Sequence, residues 1–334
     1  MEDVQTPQGS VVIIGAGTQG RRLAHMWSSR GGTVCLIDLQ EQQLQDALTY
    51  VEQLRADATD HEGNWGQVEI AQPSSLQSTL KDAWLVVECV PENLELKRKL
   101  ITQLDDLASE GTIIASNSSS YGIFEIIQGM SLKNSKRVMS AHCSIEIMGH
   151  KDSDPKLIDL VLKQCKEHGF SPFHVKKDSI GYIYNRIWAA IKRETLLTLS
   201  EGVATPQEID AIFKDVLKTP KGPCEQMDVV GLDVVLDIEN HYAESRSGIP
   251  TEPRDYLREM IQGGINVDLD TFLHYFHYIC SLEEAKYITN ESAFRFAWSF
   301  SIIGLVVEFV VAIDEARVRF TDDAQHFFVL FFKL

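Results

Sequence analysis

The chain reads as an α/β protein, an open doubly wound parallel sheet followed by helices, and three observations predict it. Four apolar residues, Val11-Val-Ile-Ile14, run straight into Gly15-x-Gly17-x-x-Gly20 and then into a helical pattern. Short apolar runs at Thr33–Ile37, Trp84–Val90, Thr112–Ser116 and Arg137–Ala141 alternate with amphipathic stretches. From about residue 178 to past residue 250 only helical spacing is seen. These point to a Rossmann-type domain over 1–177, a helical domain over 178–262 and an atypical Phe-rich tail over 263–334.

The first corner carries the chemistry. Gly15 allows a tight turn, Gly17 lets backbone approach a diphosphate, and Gly20 lets helix and strand pack closely. The helix start at Thr18-Gln19 offers free N–H groups and the positive end of a dipole to the anion. The second strand ends in Asp38, where a carboxylate accepts from adenosine ribose hydroxyls and repels a 2′-phosphate. The expected cofactor is therefore NAD.

Further elements follow in order. The helix after the glycines should run from about Thr18 to Arg30 and stop at Gly31-Gly32. Leu44, Leu48, Val51 and Leu54 mark a second helix, and the polar stretch 57–75 with Gly63, Gly66 and Pro73 reads as a loop. Leu94, Leu100, Ile101 and Leu104 give a helix from Asn93 to Leu107. Ligands of such sheets lie off the carboxyl ends of the strands, which singles out Glu88, Glu92, Asn117 and His142. A long helix is expected from Tyr182 to Ser200, and Thr205-Pro-Gln-Glu208 opens another with a capping box.

Composition narrows the function. The chain has 334 residues, 44% of them hydrophobic, enough for about two globular domains. A net charge of −17 argues against nucleic acid and anionic membranes as partners. Six cysteines without a CxxC pair read as reduced thiols, with no metal site expected. The N-terminus has neither signal- nor transit-peptide character, so a cytoplasmic setting is expected. The final Phe-Lys-Leu shares two residues with a peroxisomal address but has Phe332 where a small residue belongs. Phe296 to Ile313 is apolar enough to span a bilayer, but Glu308 interrupts it and no basic flank orients it.

Several pieces together resemble the 3-hydroxyacyl-CoA dehydrogenase family, including its lambda-crystallin/L-gulonate 3-dehydrogenase branch. They are Gly15-Ala-Gly-Thr-Gln-Gly20, Glu88-Cys-Val-Pro-Glu-Asn-Leu-Glu-Leu-Lys97, Ser116-Asn-Ser-Ser-Ser120, Ala141-His142, Ile145-Glu-Ile-Met148, Asp178-Ser-Ile-Gly-Tyr-Ile-Tyr-Asn-Arg186 and Gly222-Pro-Cys-Glu-Gln-Met-Asp-Val-Val-Gly-Leu-Asp233. The resemblance implies NAD-dependent oxidation of a 3-hydroxyacyl-CoA or related 3-hydroxy acid. By it, His142 is the base, Glu146 orients it, Ser119 and Asn185 meet the substrate, and Glu92, Lys97 and Asn117 serve the cofactor. It also implies a homodimer through the helical domain.

The chain departs from the family in its histidine–glutamate loop, at Ile180, where members carry a proline before Gly181, and in its tail. Members carry a longer, proline-containing loop between the histidine and the glutamate; here only Cys143, Ser144 and Ile145 intervene. Two residues so spaced can still face each other across a three-residue hairpin turn, with Cα atoms ~5.5 Å apart, so a His–Glu pair is compatible with the spacing. The tail lacks the family's Lys-Ser-Gly-type segment, and residues 266–334 hold 11 of the 15 phenylalanines. Three readings follow: a 3-hydroxyacyl-CoA dehydrogenase, a sugar-acid dehydrogenase acting on a substrate such as L-gulonate, or an NAD-binding chain that lost turnover with its loop.

Overall fold

A computed structural model describes residues 7–58, 64–143, 145–262, 296–302 and 305–311. The chain divides into two compact units, Met1–Ile265 and Asn266–Leu334. In the first, the elements run β1 (Ser10–Ile14), α1 (Thr18–Trp27), β2 (Thr33–Ile37), α2 (Glu41–Asp57), β3 (Gln67–Ala71), α3 (Leu76–Thr79), β4 (Ala83–Glu88), α4 (Leu94–Leu107), β5 (Ile113–Ser116), α5 (Ile123–Ile126), β6 (Val138–His142), β7 (Glu146–Met148), α6 (Pro155–Glu167) and β8 (Phe173–His174). Five helices follow: α7 (Tyr184–Ser200), α8 (Pro206–Leu217), α9 (Pro223–Val230), α10 (Leu232–Ser245) and α11 (Glu252–Gln262).

Eight strands form one sheet in the order β3-β2-β1-β4-β5-β6-β7-β8. Every pairing in it is parallel except β6 with β7. Side chains alternate across a strand, so β1 feeds both faces. Val11 and Ile13 pack under α1, α2 and α6 with Leu23, Trp27, Leu44, Val51 and Val161. Val12 and Ile14 pack on the other face with Ile101, Leu104, Ile123 and Ile126. Burial on both faces is why β1, β2 and β4 read as unbroken apolar runs.

Two expectations need correction. The stretch 57–75 is not all loop: Gln67–Ala71 is strand β3, paired with β2. It sits at the sheet edge with no buried residue, so its sequence had no apolar run to give it away. Helix α1 ends at Trp27, short of Arg30, and a turn with a Ser29–Gly31 bridge leads into β2.

The helical layer has its own core of Leu196, Ile209, Cys224, Met227, Val235 and Leu257. The capping box that the sequence places at Thr205 is present. Thr205 Oγ1 accepts from the Glu208 N–H at 3.3 Å, and Glu208 Oε2 accepts from the Thr205 N–H at 2.8 Å. In the second unit, β9 (Phe296–Ile302) and β10 (Leu305–Val311) form an antiparallel pair. The sequence's candidate bilayer span thus falls largely on two strands. Among the described residues no helix is long and apolar enough to cross a membrane. The rest of the 263–334 tail lies outside the described residues.

Candidate active site

The three glycines differ in what a side chain would meet. Gly15 has φ +105, and a Cβ there would lie 2.5 Å from the Cys89 carbonyl oxygen. A Cβ on Gly20 would lie 1.8 Å from the Gly15 oxygen, so helix and turn touch through backbone alone. At Gly17 a Cβ would meet nothing within 4 Å. That open space precedes the helix, whose first hydrogen bond runs from the Arg21 N–H to the Gly17 carbonyl at 3.1 Å. The N–H groups of Thr18, Gln19 and Gly20 therefore come before any intrahelical bond, as an anion site requires. Asp38 closes the cradle: Oδ2 accepts from the Ala16 N–H at 2.8 Å and Oδ1 from the Gln40 N–H at 2.9 Å. A carboxylate at the end of β2 and an uncluttered Gly17 fit a dinucleotide with a free ribose diol.

The carboxyl ends of β4 and β5 hold a buried polar network. Glu88, the last residue of β4, is 0% exposed, and Lys97 from α4 is 1% exposed. The Lys97 ammonium lies 3.0 Å from Glu88 Oε1 and 3.1 Å from Glu92 Oε2, and donates to the Val90 carbonyl at 3.2 Å. Ser116 adds a short hydrogen bond to Glu88. Glu92 Oε1 accepts from Ser118 Oγ at 2.5 Å and from the Ser120 N–H at 2.7 Å. Burial alone would raise the Glu92 pKa; the Lys97 charge and these bonds lower it instead. Lys97 thus sits within the network, while the Glu92 side chain is 35% exposed. Asn117 is 9% exposed, and its Oδ1 accepts from the Cys143 N–H at 2.7 Å.

At the end of β6 the shortened hairpin brings its two ends together. His142 and Glu146 are ladder partners, with Cys143 at φ 50 between them. Nδ1 of His142 lies 3.1 Å from Glu146 Oε2. The other carboxylate oxygen, Oε1, accepts from the Ile183 and Tyr184 N–H groups at 2.8 and 2.9 Å. One carboxylate therefore grips both the histidine and the start of α7. Burial would raise the Glu146 pKa, but the histidine and the two N–H groups lower it. Burial would likewise lower that of His142; hydrogen bonds with Cys143 and Glu146 and their charges outweigh it, and the imidazole is pushed up to about 9. Cys143 Sγ lies 3.8 Å from Gln19 Oε1, which links the hairpin to the first turn of α1.

Of the remaining sequence candidates, Ser119 is exposed and its neighbour Ser118 makes the hydrogen bonds. Asn185 is half-buried in the first turn of α7, directly after the two N–H groups that hold Glu146. Sequence reading missed Tyr182. Its ring stacks on His142 with centroids 5.0 Å apart and planes 4° from parallel, and its hydroxyl donates to the Ser118 carbonyl at 2.7 Å. Burial raises its pKa, so it stays a neutral phenol. The signal lay in Gly181-Tyr182, where consecutive positive φ values of 73 and 53 turn the chain into α7. No group of three or more metal-ligating side chains is found among the described residues.

Comparison with known proteins supplies the family. A model of the 3-hydroxyacyl-CoA dehydrogenase NAD-binding domain matches residues 10–179, and one of the C-terminal domain of the same enzymes matches residues 181–266. The chain belongs to the 3-hydroxyacyl-CoA dehydrogenase family. As a member it is an oxidoreductase of the dehydrogenase type with NAD as cofactor. It is 30% identical over 224 residues to the human (Homo sapiens) lambda-crystallin homolog, covering 63% of this chain and 70% of that protein. With 3-hydroxybutyryl-CoA dehydrogenase of Clostridioides difficile it shares 30% over 244 residues, 69% of this chain and 85% of the other. The solved structure of (S)-3-hydroxybutyryl-CoA dehydrogenase PaaH1 from Ralstonia eutropha superposes with a TM-score of 0.66 at 26% identity. That match covers 77% of this chain and 94% of the other.

Proposed function

We propose that this dehydrogenase oxidises a 3-hydroxyacyl-CoA, or a related 3-hydroxy acid, to the 3-oxo compound with His142 as general base. The contact that carries the reading is the 3.1 Å pair of His142 Nδ1 and Glu146 Oε2, which sits on a hairpin touching the cofactor cradle. When bound, NAD supplies the hydride acceptor. With Nδ1 held by Glu146, Nε2 is the nitrogen left to take the substrate hydroxyl proton. Glu146 fixes the tautomer and stabilises the imidazolium that results. Tyr182 keeps the ring plane fixed from one face. Asn185 and Ser119 hold the substrate in this reading, Glu92 and Asn117 border the nicotinamide end, and Lys97 fixes Glu92.

An imidazole at about 9 is charged in the free protein at neutral pH. It is then ready to donate a proton to a 3-oxo substrate, so reduction is the favoured direction near neutrality. Oxidation needs the neutral ring and rises with pH toward 9. The test is purified protein with NADH and acetoacetyl-CoA. Loss of NADH absorbance supports the proposal; confirmed cofactor binding without any loss refutes the CoA-thioester substrate. If L-gulonate then gives no NAD reduction as well, the proposal as a whole is refuted.

A free 3-hydroxy acid such as L-gulonate is the second substrate reading, favoured by the likeness to the lambda-crystallin homologs. A homodimer is proposed as well. Large apolar side chains stand exposed on the helical layer, among them Ile212 at 63%, Val216 at 68% and Val229 at 68%, and such a surface favours self-association. Light scattering on a sizing column checks it, with a mass near twice 37.6 kDa expected.

A further inference from the structure

The charges around Tyr242 in α10 do not balance. Its ring has the Arg246 guanidinium 4.8 Å and the Arg193 guanidinium 5.7 Å from its centroid. Arg186 is a third cation acting on the phenol, and Glu239 is the carboxylate that opposes them. Glu239 is already committed, since Arg193 donates to its two oxygens at 2.8 and 3.1 Å. Burial raises the Tyr242 pKa, so the phenol adds no negative charge at neutral pH.

Among the described residues, Arg186 and Arg246 have no carboxylate within ion-pair distance. Their hydrogen bonds go to neutral acceptors: Arg246 Nη2 to the Ile180 carbonyl at 3.3 Å, and Arg186 Nη1 to Ser179 Oγ at 3.4 Å. Burial, then the charges of Arg186 and Arg193, lower the Arg246 pKa. Arg137, Arg193 and Arg258 pair with Asp105, Glu239 and Asp255, whereas Arg30, Arg55 and Arg98 donate to neutral acceptors as Arg186 and Arg246 do; what sets Arg186 and Arg246 apart is that they crowd one another and Arg193. In a chain of net charge −17, carboxylates are not scarce. Crowded like charges are unfavourable unless an anion relieves them.

The location suggests which anion. The Ile180 carbonyl that holds Arg246 is two residues from Tyr182, which covers His142. Arg186 is exposed and follows Asn185 on α7. A strongly acidic protein repels an anionic substrate at long range, and a local cation pair reverses that. Guanidinium suits the task, because its planar fork binds phosphate or carboxylate in bidentate fashion.

We propose that Arg186 and Arg246 form an oxyanion subsite at the loop 179–181 that leads into α7, for the phosphate or carboxylate that the substrate carries away from its reacting carbon. The assignment of the ligand as substrate rests on the dehydrogenase reading above; the anion site itself does not. Calorimetry with inorganic pyrophosphate tests it on the full chain saturated with NAD, so that the probe cannot enter the glycine cradle. Wild type is expected to bind, and the Arg186→Gln/Arg246→Gln double variant to bind roughly tenfold or more weakly. Arg246→Lys keeps the charge and should lose less than Arg246→Gln, with thermal melts confirming that each is folded.

In turnover, the double variant should raise KM for acetoacetyl-CoA about tenfold with kcat within about twofold. The neutral N-acetylcysteamine thioester of acetoacetate should be unaffected. A raised KM for L-gulonate with the CoA thioester unchanged assigns the subsite to a carboxylate. Equal pyrophosphate affinity in wild type and double variant, or equal losses for charged and neutral thioesters, overturns the proposal. If no substrate turns over while pyrophosphate binding still depends on the arginines, the dehydrogenase reading fails and the subsite stands.

Discussion

The phenol ring of Tyr182 lies flat on the imidazole of His142, and its hydroxyl is anchored to the Ser118 carbonyl. The histidine at the end of β6 is therefore oriented from two sides, by Glu146 in its plane and by Tyr182 on its face. The hairpin sets the first contact, and the second depends on the chain entering α7 through two positive-φ residues.

The first prediction separates the two functions of Tyr182. Tyr182→Phe keeps the ring and orphans a buried carbonyl, so it should cost about 1–2 kcal/mol of stability and leave kcat within a few-fold of wild type. Tyr182→Ala removes the stack and opens a cavity, costing ~3–5 kcal/mol and lowering kcat far more. Urea denaturation and steady-state kinetics on both variants read the difference; equal kcat in the two would show that the stack does not position the histidine.

Glu146→Gln keeps a hydrogen-bond acceptor for the Ile183 and Tyr184 N–H groups but removes the charge beside His142. The His142 titration should move down from about 9 by more than one unit, because burial then works with less opposition. The pH profile of oxidation should shift to lower pH with it. Stability follows by linkage: the folded-state pKa is above the unfolded value of ~6.5. The stabilisation from His142 is therefore full below ~6.5 and lost as pH rises through about 9. NMR titration of the imidazole is the direct measurement, and an unchanged midpoint would contradict this account.

Two glycines three residues apart should respond oppositely to the same change. Gly17→Ala meets nothing within 4 Å, so the apo protein should melt within a degree or two of wild type while NAD affinity falls about tenfold or more. Gly20→Ala drives a methyl into the Gly15 oxygen, so the fold itself should lose ~2 kcal/mol or more. Thermal melts with and without NAD distinguish the two.

Lys97→Met leaves Glu88 buried without its cation, which should cost ~3–5 kcal/mol. Replacing both partners with apolar residues of similar volume should cost less than the single change. Denaturation of single and double variants is the test. A loss confined to NAD affinity, with stability intact, would make Lys97 a cofactor ligand instead of a structural partner.

The sequence by itself determined the layered fold and the cofactor corner. Runs such as Val11–Ile14 are buried on both faces, and Gly15 and Gly20 follow from backbone sterics, so both are local and visible in one dimension. It also allowed His142 to face Glu146 across a three-residue turn, and the β6–β7 ladder pairs them. Tertiary structure decided the rest. Edge strand β3 exists through pairing with β2, not through its own polar sequence. Lys97 has the sequence of a solvated helix residue, yet it is buried because Glu88 and Glu92 converge on it from the end of β4 and the turn beyond. Tyr182 reaches His142 across a separation of forty residues, a contact that no local pattern encodes. Such contacts are set by where helices and sheet pack, and that depends on the balance of burial and pairing over the whole unit.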